Sequence, residues 1–282
     1  MTTRHPTRRT RTRLGIAGLL ALTLTLAATL LMPSGLSSAS SSHNGGPKPT
    51  IVLVHGAFAD ASGWAGVEQR LQKRGYTVIA PANPLRGVAG DSAYISSVLA
   101  TISGPIVLVG HSYGGEVITN AATGNPTVKA LVYIAAFAPD EGETSGLLAT
   151  KFPGSELTPA NLVFRPYPVA GGTTGTDGYI NPTVFHDVFC ADIPANTAAT
   201  MGASQRPAEL ATLSEPSGIP AWKTIPSWYL VANQDHAIPA AAERFMAHRM
   251  AAHTVEINSS HVAMISHPNA VTDLILAAAH NH

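Results

Sequence analysis

Gly110-His111-Ser112-Tyr113-Gly114-Gly115 sets a serine between glycines. The apolar run Ile106-Val107-Leu108-Val109 precedes it, and a helix-like segment, residues 116–122, follows. A G-x-S-x-G between a strand and a helix reads as a nucleophile elbow, with the hydroxyl at the exposed tip of a sharp turn. Glycines on both sides let the backbone turn that tightly. The competing reading, a serine in an ordinary glycine-rich loop, does not account for the flanking strand. A serine hydroxyl is a poor nucleophile until a base takes its proton. Ser112 therefore needs a histidine, and the histidine needs an orienting acid.

In an open parallel sheet, site residues lie just past the C-terminal ends of strands. Among the 12 histidines, His261 fits this rule, following the strand-like Thr254-Val255-Glu256-Ile257 through Asn258-Ser259-Ser260. His253 precedes that strand, and His267 adjoins Pro268 at a helix entry. His5, His43, His280 and His282 lie in the tails, and His186 and His236 are pocket or surface residues. Two aspartates satisfy the same rule. Asp235 follows the run at 227–231, and Asp140 follows the run at 128–136. Both give the chain order Ser, Asp, His. Asp235 is preferred because its strand precedes the last one, close to the His261 loop. Asp140 is expected to brace the segment that follows it. The oxyanion donors are expected from the N–H of Tyr113 and the N–H of Ala57 or Phe58, where Gly56 allows close approach. His55 is read as a structural hydrogen-bonding group.

These groups need a scaffold. Short continuous apolar runs at 51–54, 77–80, 105–109, 128–136, 227–231 and 254–257 read as strands buried on both faces. Helical spacing appears at 62–74 (Trp64, Val67, Leu71), at 91–102 with Asp91 or Ser92 as N-cap, at 240–250 and at 269–279. The alternation predicts an α/β fold, a mostly parallel sheet of about six strands flanked by helices. The rhythm breaks over 141–222, which is rich in Pro, Gly and Thr and shows no clear strand. Arg165-Pro166-Tyr167-Pro168 and Gly171-Gly172-Thr173-Thr174 read as loops. Helical patches are expected at 182–189, 195–201 and 208–213. Such an insertion reads as a functional cap. Phe137, just before the insertion, and Phe189 and Trp222 within it are the candidate substrate-binding aromatics.

Composition bounds the rest. The chain has 282 residues, 45% hydrophobic, enough for one large domain. Only 12% are charged, about half the usual ~25%. Five of the 17 basic residues and none of the acids lie in residues 1–39, leaving 12 basic against 17 acidic residues, a formal charge of −5. An acidic body argues against nucleic-acid binding. The single cysteine, Cys190, excludes an intrachain disulfide and a cysteine-rich metal site. Residues 1–13 are arginine-rich, 14–32 are almost wholly apolar, and small residues follow Pro33. This is the layout of a secretory signal cleaved near Ala39. An uncleaved anchor is the alternative, since the run approaches the ~20 residues of a membrane span. Residues 40–49 read as a flexible linker. The expected product is secreted or periplasmic, with no stable membrane partner once the signal is removed.

Five stretches together resemble the α/β-hydrolase superfamily. They are Leu53-Val54-His55-Gly56-Ala57-Phe58 with Trp64, the Gly110–Gly115 elbow, Ile134-Ala135-Ala136-Phe137-Ala138-Pro139-Asp140, Gln234-Asp235-His236-Ala237-Ile238-Pro239, and Ser260-His261-Val262-Ala263-Met264. Within it the chain is similar to the small branch holding bacterial carboxylesterases, plant methyl esterases and plant hydroxynitrile lyases. The resemblance implies Ser112, Asp235 and His261 as a triad and 141–222 as the cap over the pocket. Lyases of this branch place a Thr after the strand-end His and a Lys after the catalytic His. Here those positions hold Gly56 and Val262, which favours ester hydrolysis. The resemblance implies a secreted serine carboxylesterase acting on a small-molecule ester, without metal or organic cofactor. Lactone hydrolysis or perhydrolysis on the same triad, and a ligand-binding receptor with this fold, are the alternatives.

Overall fold

Six of the apolar runs become neighbouring parallel strands: β1 (Thr50–Val54), β2 (Val78–Ile79), β3 (Ile106–Ser112), β4 (Val128–Ala136), β8 (Ser227–Ala232) and β9 (His253–Ile257). The computed structural model describes residues 47–281. The expected signal over 1–39, its cleavage near Ala39, and residues 40–46 of the expected linker lie outside the described residues. The sheet order is β2-β1-β3-β4-β8-β9. β3 and β8 are buried at every residue, β1 and β4 at all but one each, whereas β9 is an exposed edge. Continuous apolar runs suit the central strands because helices cover both faces of such a sheet.

Right-handed crossovers account for the helices. From β1 the chain runs one way to β2 through α1 (Ala65–Lys73), then returns through α2 (Val88–Leu99) to β3 on the other side. It continues through α3 (Tyr113–Ala121) to β4, and later through α8 (Ala240–Arg249) to β9. The short α9 (Ala263–Ser266) and α10 (Pro268–His280) close the chain, with α10 packed on α1. The order reverses between β1 and β3, and the crevice at their C-terminal ends is where such sheets bind ligands. Among the described residues, no helix is long and apolar enough to cross a membrane.

Helix α2 begins three residues before the expected N-cap at Asp91. Gly87 precedes it at φ 133°, and Asp91 lies inside the helix, fully buried. Its carboxylate accepts the Arg86 N–H at 3.1 Å and the Tyr113 hydroxyl at 2.9 Å. A tertiary anchor had the look of a cap. The segment from 61 to 64 is a 3-10 turn that leads into α1 rather than part of it.

The larger correction concerns the insertion. It holds α4 (Ser145–Thr150), a three-stranded antiparallel sheet of β5 (Leu162–Pro168), β6 (Thr174–Ile180) and β7 (Ala208–Glu209), then α5 (Phe185–Phe189), α6 (Ala195–Ser204) and α7 (Ala211–Ser214). The stretch 165–168 is strand, not loop, and 171–173 is the hairpin turn, with Gly171 and Gly172 at positive φ. The prolines fit because β5 is an edge. Thr176, opposite Pro166, gives its carbonyl to Leu210 N–H at 3.1 Å on the far side. Pro166 therefore sits in a pair that exchanges no ladder bonds, and its nitrogen faces the open edge. The expected helix at 208–213 divides into β7 and α7.

Polar clasps tie the insertion to the sheet domain and join its two ends. Arg86 pairs with Asp177, and its guanidinium lies 4.6 Å from the Tyr167 ring. The Ser145 hydroxyl donates to Glu116, whose carboxyl burial pushes up to about 8. Asp140 pairs with Lys223 at 2.5 Å, joining the entry and exit of the insertion. Asp192 holds the loop after β9, as described next.

Candidate active site

β3 ends on Ser112, which sits at φ 53°, ψ −127°. A non-glycine residue there is strained, by about 1–3 kcal/mol. The surroundings hold it. Phe137 N–H donates to the Ser112 carbonyl at 3.1 Å. A Cβ added at Gly56 would lie 2.6 Å from Ser112 Cβ, and one at Gly114 would lie 2.5 Å from the Val54 carbonyl oxygen. Only glycine allows the two strand ends to come this close. α3 begins at Tyr113, whose N–H is one of the first-turn amides that no helical carbonyl takes up. Across from it, Phe58 in the loop after β1 also has positive φ, 61°.

His55 braces that loop. Its Nδ1–H donates to the Gly56 carbonyl at 2.9 Å, and its Nε2 accepts Asn83 N–H at 2.9 Å. Asn83 Nδ2 donates back to the His55 carbonyl at 3.0 Å. Burial lowers the His55 pKa, so the ring is neutral with both nitrogens occupied. His111 does similar work beside the serine. Its Nε2–H donates to the His261 carbonyl at 2.9 Å, and the two rings lie 4.6 Å apart. Burial, then the neighbouring His261, lowers its pKa well below the ordinary value.

Asp235 and His261 meet past the ends of β8 and β9. Asp235 Oδ1 accepts the Ala237 and Ile238 N–H groups at 2.6 and 2.8 Å. Its Oδ2 accepts His261 Nδ1–H at 2.5 Å, and both side chains are fully buried. A proton on Nδ1 leaves Nε2 as a lone pair. That atom is buried and has no hydrogen-bond partner among the described residues. The arrangement is an imidazole oriented to accept a proton beside a serine turn, and catalytic hydrogen bonds of this kind often tighten only with substrate. Asp140 is engaged elsewhere, on Lys223 and on the Glu141 N–H.

Of the three aromatic candidates, Phe189 reaches the centre. Its ring lies 5.1 Å from that of His261 and 6.4 Å from those of His111 and Phe58. Phe137 touches Ser112 through its backbone. Trp222 sits where the insertion rejoins the sheet domain. Its Nε1–H donates to the Pro139 carbonyl at 2.9 Å, and Lys223 and Arg249 flank its ring. Val262, directly after His261, is fully buried and apolar.

Two acids at the site escaped the sequence reading. Asp192, between α5 and α6, accepts Ser260 N–H at 3.0 Å, the Ser260 hydroxyl, and the Ser259 hydroxyl at 3.2 Å. Against the upward push of burial, these serine hydrogen bonds hold its carboxyl below the ordinary value. It lies in a Pro- and Ala-rich stretch with no periodicity to flag it. Glu243 on α8 is fully buried and accepts Ala232 N–H at 3.0 Å. Burial, then the adjacent Asp235 charge, raises its pKa well above the ordinary value.

Comparison with known proteins follows the same outline. The model of the "Alpha/beta hydrolase family" matches residues 51–274. An alpha/beta hydrolase of Aspergillus novofumigatus is 28% identical over 257 residues, covering 82% of this chain and 97% of the relative. Methylesterase 2 of Arabidopsis thaliana is 24% identical over 256 residues, covering 83% and 97%. The crystal structure of polyneuridine aldehyde esterase superposes with a TM-score of 0.70 at 21% identity, covering 82% of this chain and 99% of that one. With the family model spanning nearly all of the described residues, the chain belongs to the alpha/beta hydrolase family.

Proposed function

We propose that the chain is a serine carboxylesterase in which Ser112 is the nucleophile, His261 the general base and Asp235 the orienting acid. The observation that carries this reading is the buried Asp235–His261 pair, which leaves Nε2 without a partner next to a strained serine turn. In the proposed reaction Ser112 Oγ attacks the ester carbonyl and its proton passes to His261 Nε2. The N–H groups of Tyr113 and of Ala57 or Phe58 stabilise the oxyanion. His261 then gives the proton to the departing alcohol, and water releases the acyl group by the reverse route. Similarity to a protein named methylesterase and to one named an esterase supports ester chemistry. Gly56 and Val262 support it over cyanide elimination, since an apolar valine beside the base offers nothing to a departing cyanide.

Replacing Ser112 with Ala is expected to lower kcat on a small aryl ester by at least roughly a thousandfold while the protein still folds. Wild-type turnover by that variant would end the assignment. Export is proposed from the arginine-rich, then apolar, then small-residue layout of residues 1–39.

A further inference from the structure

A cleft of about 300 Å³ opens between the insertion and the segment after β1. Phe58, Val262 and Met264 are its buried lining, and Met201 on α6, Gly63 and Ile265 line it too. Two of these residues are chain neighbours of the proposed machinery. Phe58 carries a candidate oxyanion N–H, and Val262 directly follows His261. The Phe58 ring meets Phe189 edge-on, and Phe189 lies against His261. Ring contacts thus run from Phe58, on the cleft wall, through the buried Phe189 to the base.

We infer that this cleft receives the alcohol portion of the ester, and that this alcohol is an apolar aryl group. The inference rests on the esterase reading. A general acid must stand against the oxygen that leaves, so leaving-group space lies on the His261 side of the site, and Val262, the next residue, lines the cleft. The acyl group hangs instead on the carbon held by Ser112 and the oxyanion donors. The lining favours apolar recognition. Asp60 turns one carboxylate oxygen to the Ser62 N–H at 2.8 Å. Gln205 spends its amide on both backbone groups of Ile180. A cavity of about 150 Å³ holds benzene, so this one has room for two fused rings. In the step itself the Ser112 Oγ–carbon bond forms and the carbon–aryloxy bond breaks. The serine proton leaves on the aryl alcohol through His261.

Met201 is half-buried on the outer helix, so Met201→Trp fills the cleft without entering the catalytic set. Ser204→Phe, at an exposed position on the same helix, is the second variant. Three esters separate the arms: 2-naphthyl acetate (aryl on the alcohol), methyl 2-naphthoate (aryl on the acyl group) and methyl acetate. The expected result is a fall of roughly tenfold or more in kcat/KM for 2-naphthyl acetate in M201W, with the other two esters within about twofold. Selective loss on methyl 2-naphthoate would make the cleft an acyl site and overturn the inference. So would unchanged 2-naphthyl acetate turnover in both variants. A fluorescence titration with 2-naphthol on the Ser112→Ala background decides the cleft separately: saturable binding abolished by M201W supports it, and no binding overturns it. Should the wild type hydrolyse none of the esters, the esterase reading fails while this titration still speaks to the cleft.

Discussion

Asp235 divides its two oxygens between jobs: one fixes the carboxylate through Ala237 and Ile238 N–H, the other fixes the proton of His261 on Nδ1. Asp235→Asn keeps the shape but offers an N–H₂ toward Nδ1, which must then accept. The Nε2 atom would carry the proton and could no longer take one from Ser112. The expected fall in kcat is about 10³–10⁴-fold with little change in melting temperature, read by ester kinetics and thermal unfolding. Activity within tenfold of wild type would remove Asp235 from its proposed role. At this scale much of the site was legible. The elbow motif singled out Ser112, and the strand-end rule singled out His261 with Asp235 or Asp140; of the two aspartates it is Asp235 that bonds His261. Glu243 was within reach too. It shares the buried face of α8 with Met246 and Ala247, a helix position that the strand-end rule passes over. Asp192 was not, because its partners are 67 and 68 residues away.

At the scale of elements, the loop after β9 is mounted from the insertion as well as from the sheet. Asp192 grips Ser259 and Ser260, the two residues before His261, so the position of the α5–α6 turn is coupled to the position of the base. Asp192→Ala leaves the Ser260 N–H and hydroxyl without their acceptor and removes one of the Ser259 partners. Hydrogen bonds to a charged group are worth roughly 1.5–3 kcal/mol. The expected outcome is a fall in kcat of roughly tenfold with KM little changed, and partial recovery in Asp192→Asn, which restores one acceptor oxygen. A change in melting temperature with kcat intact would make the clasp purely structural. The elements the sequence hid were those whose local chemistry misleads. Pro166 and Pro168 read as loop although β5 pairs along its whole length with β6. Asp91 read as a helix cap although its partner is Tyr113, 22 residues on.

Over the whole molecule, the reversal of strand order between β1 and β3 puts Phe58 and Ser112 at one crevice, and the strands on the β4 side then bring Asp235 and His261 to the same end. That plan follows from alternating apolar runs and right-handed crossovers, which is why the sheet was readable, as were helices α5 and α6 of the insertion, while its antiparallel strands were not. The export proposal belongs to this scale. Expressed in a host with a general secretion pathway, the full chain is expected to appear outside the cytoplasm beginning at Ser40, by N-terminal sequencing and intact mass. Recovery of a Met1-containing chain from the membrane fraction would favour an uncleaved anchor. The prolines of β5 have one more effect. The open edge of a sheet is a template on which a foreign strand can add and seed aggregation. With Pro166 turned outward, that edge lacks a donor where an intruding strand would need one, so the feature that concealed β5 from the sequence also guards it against unwanted strand pairing.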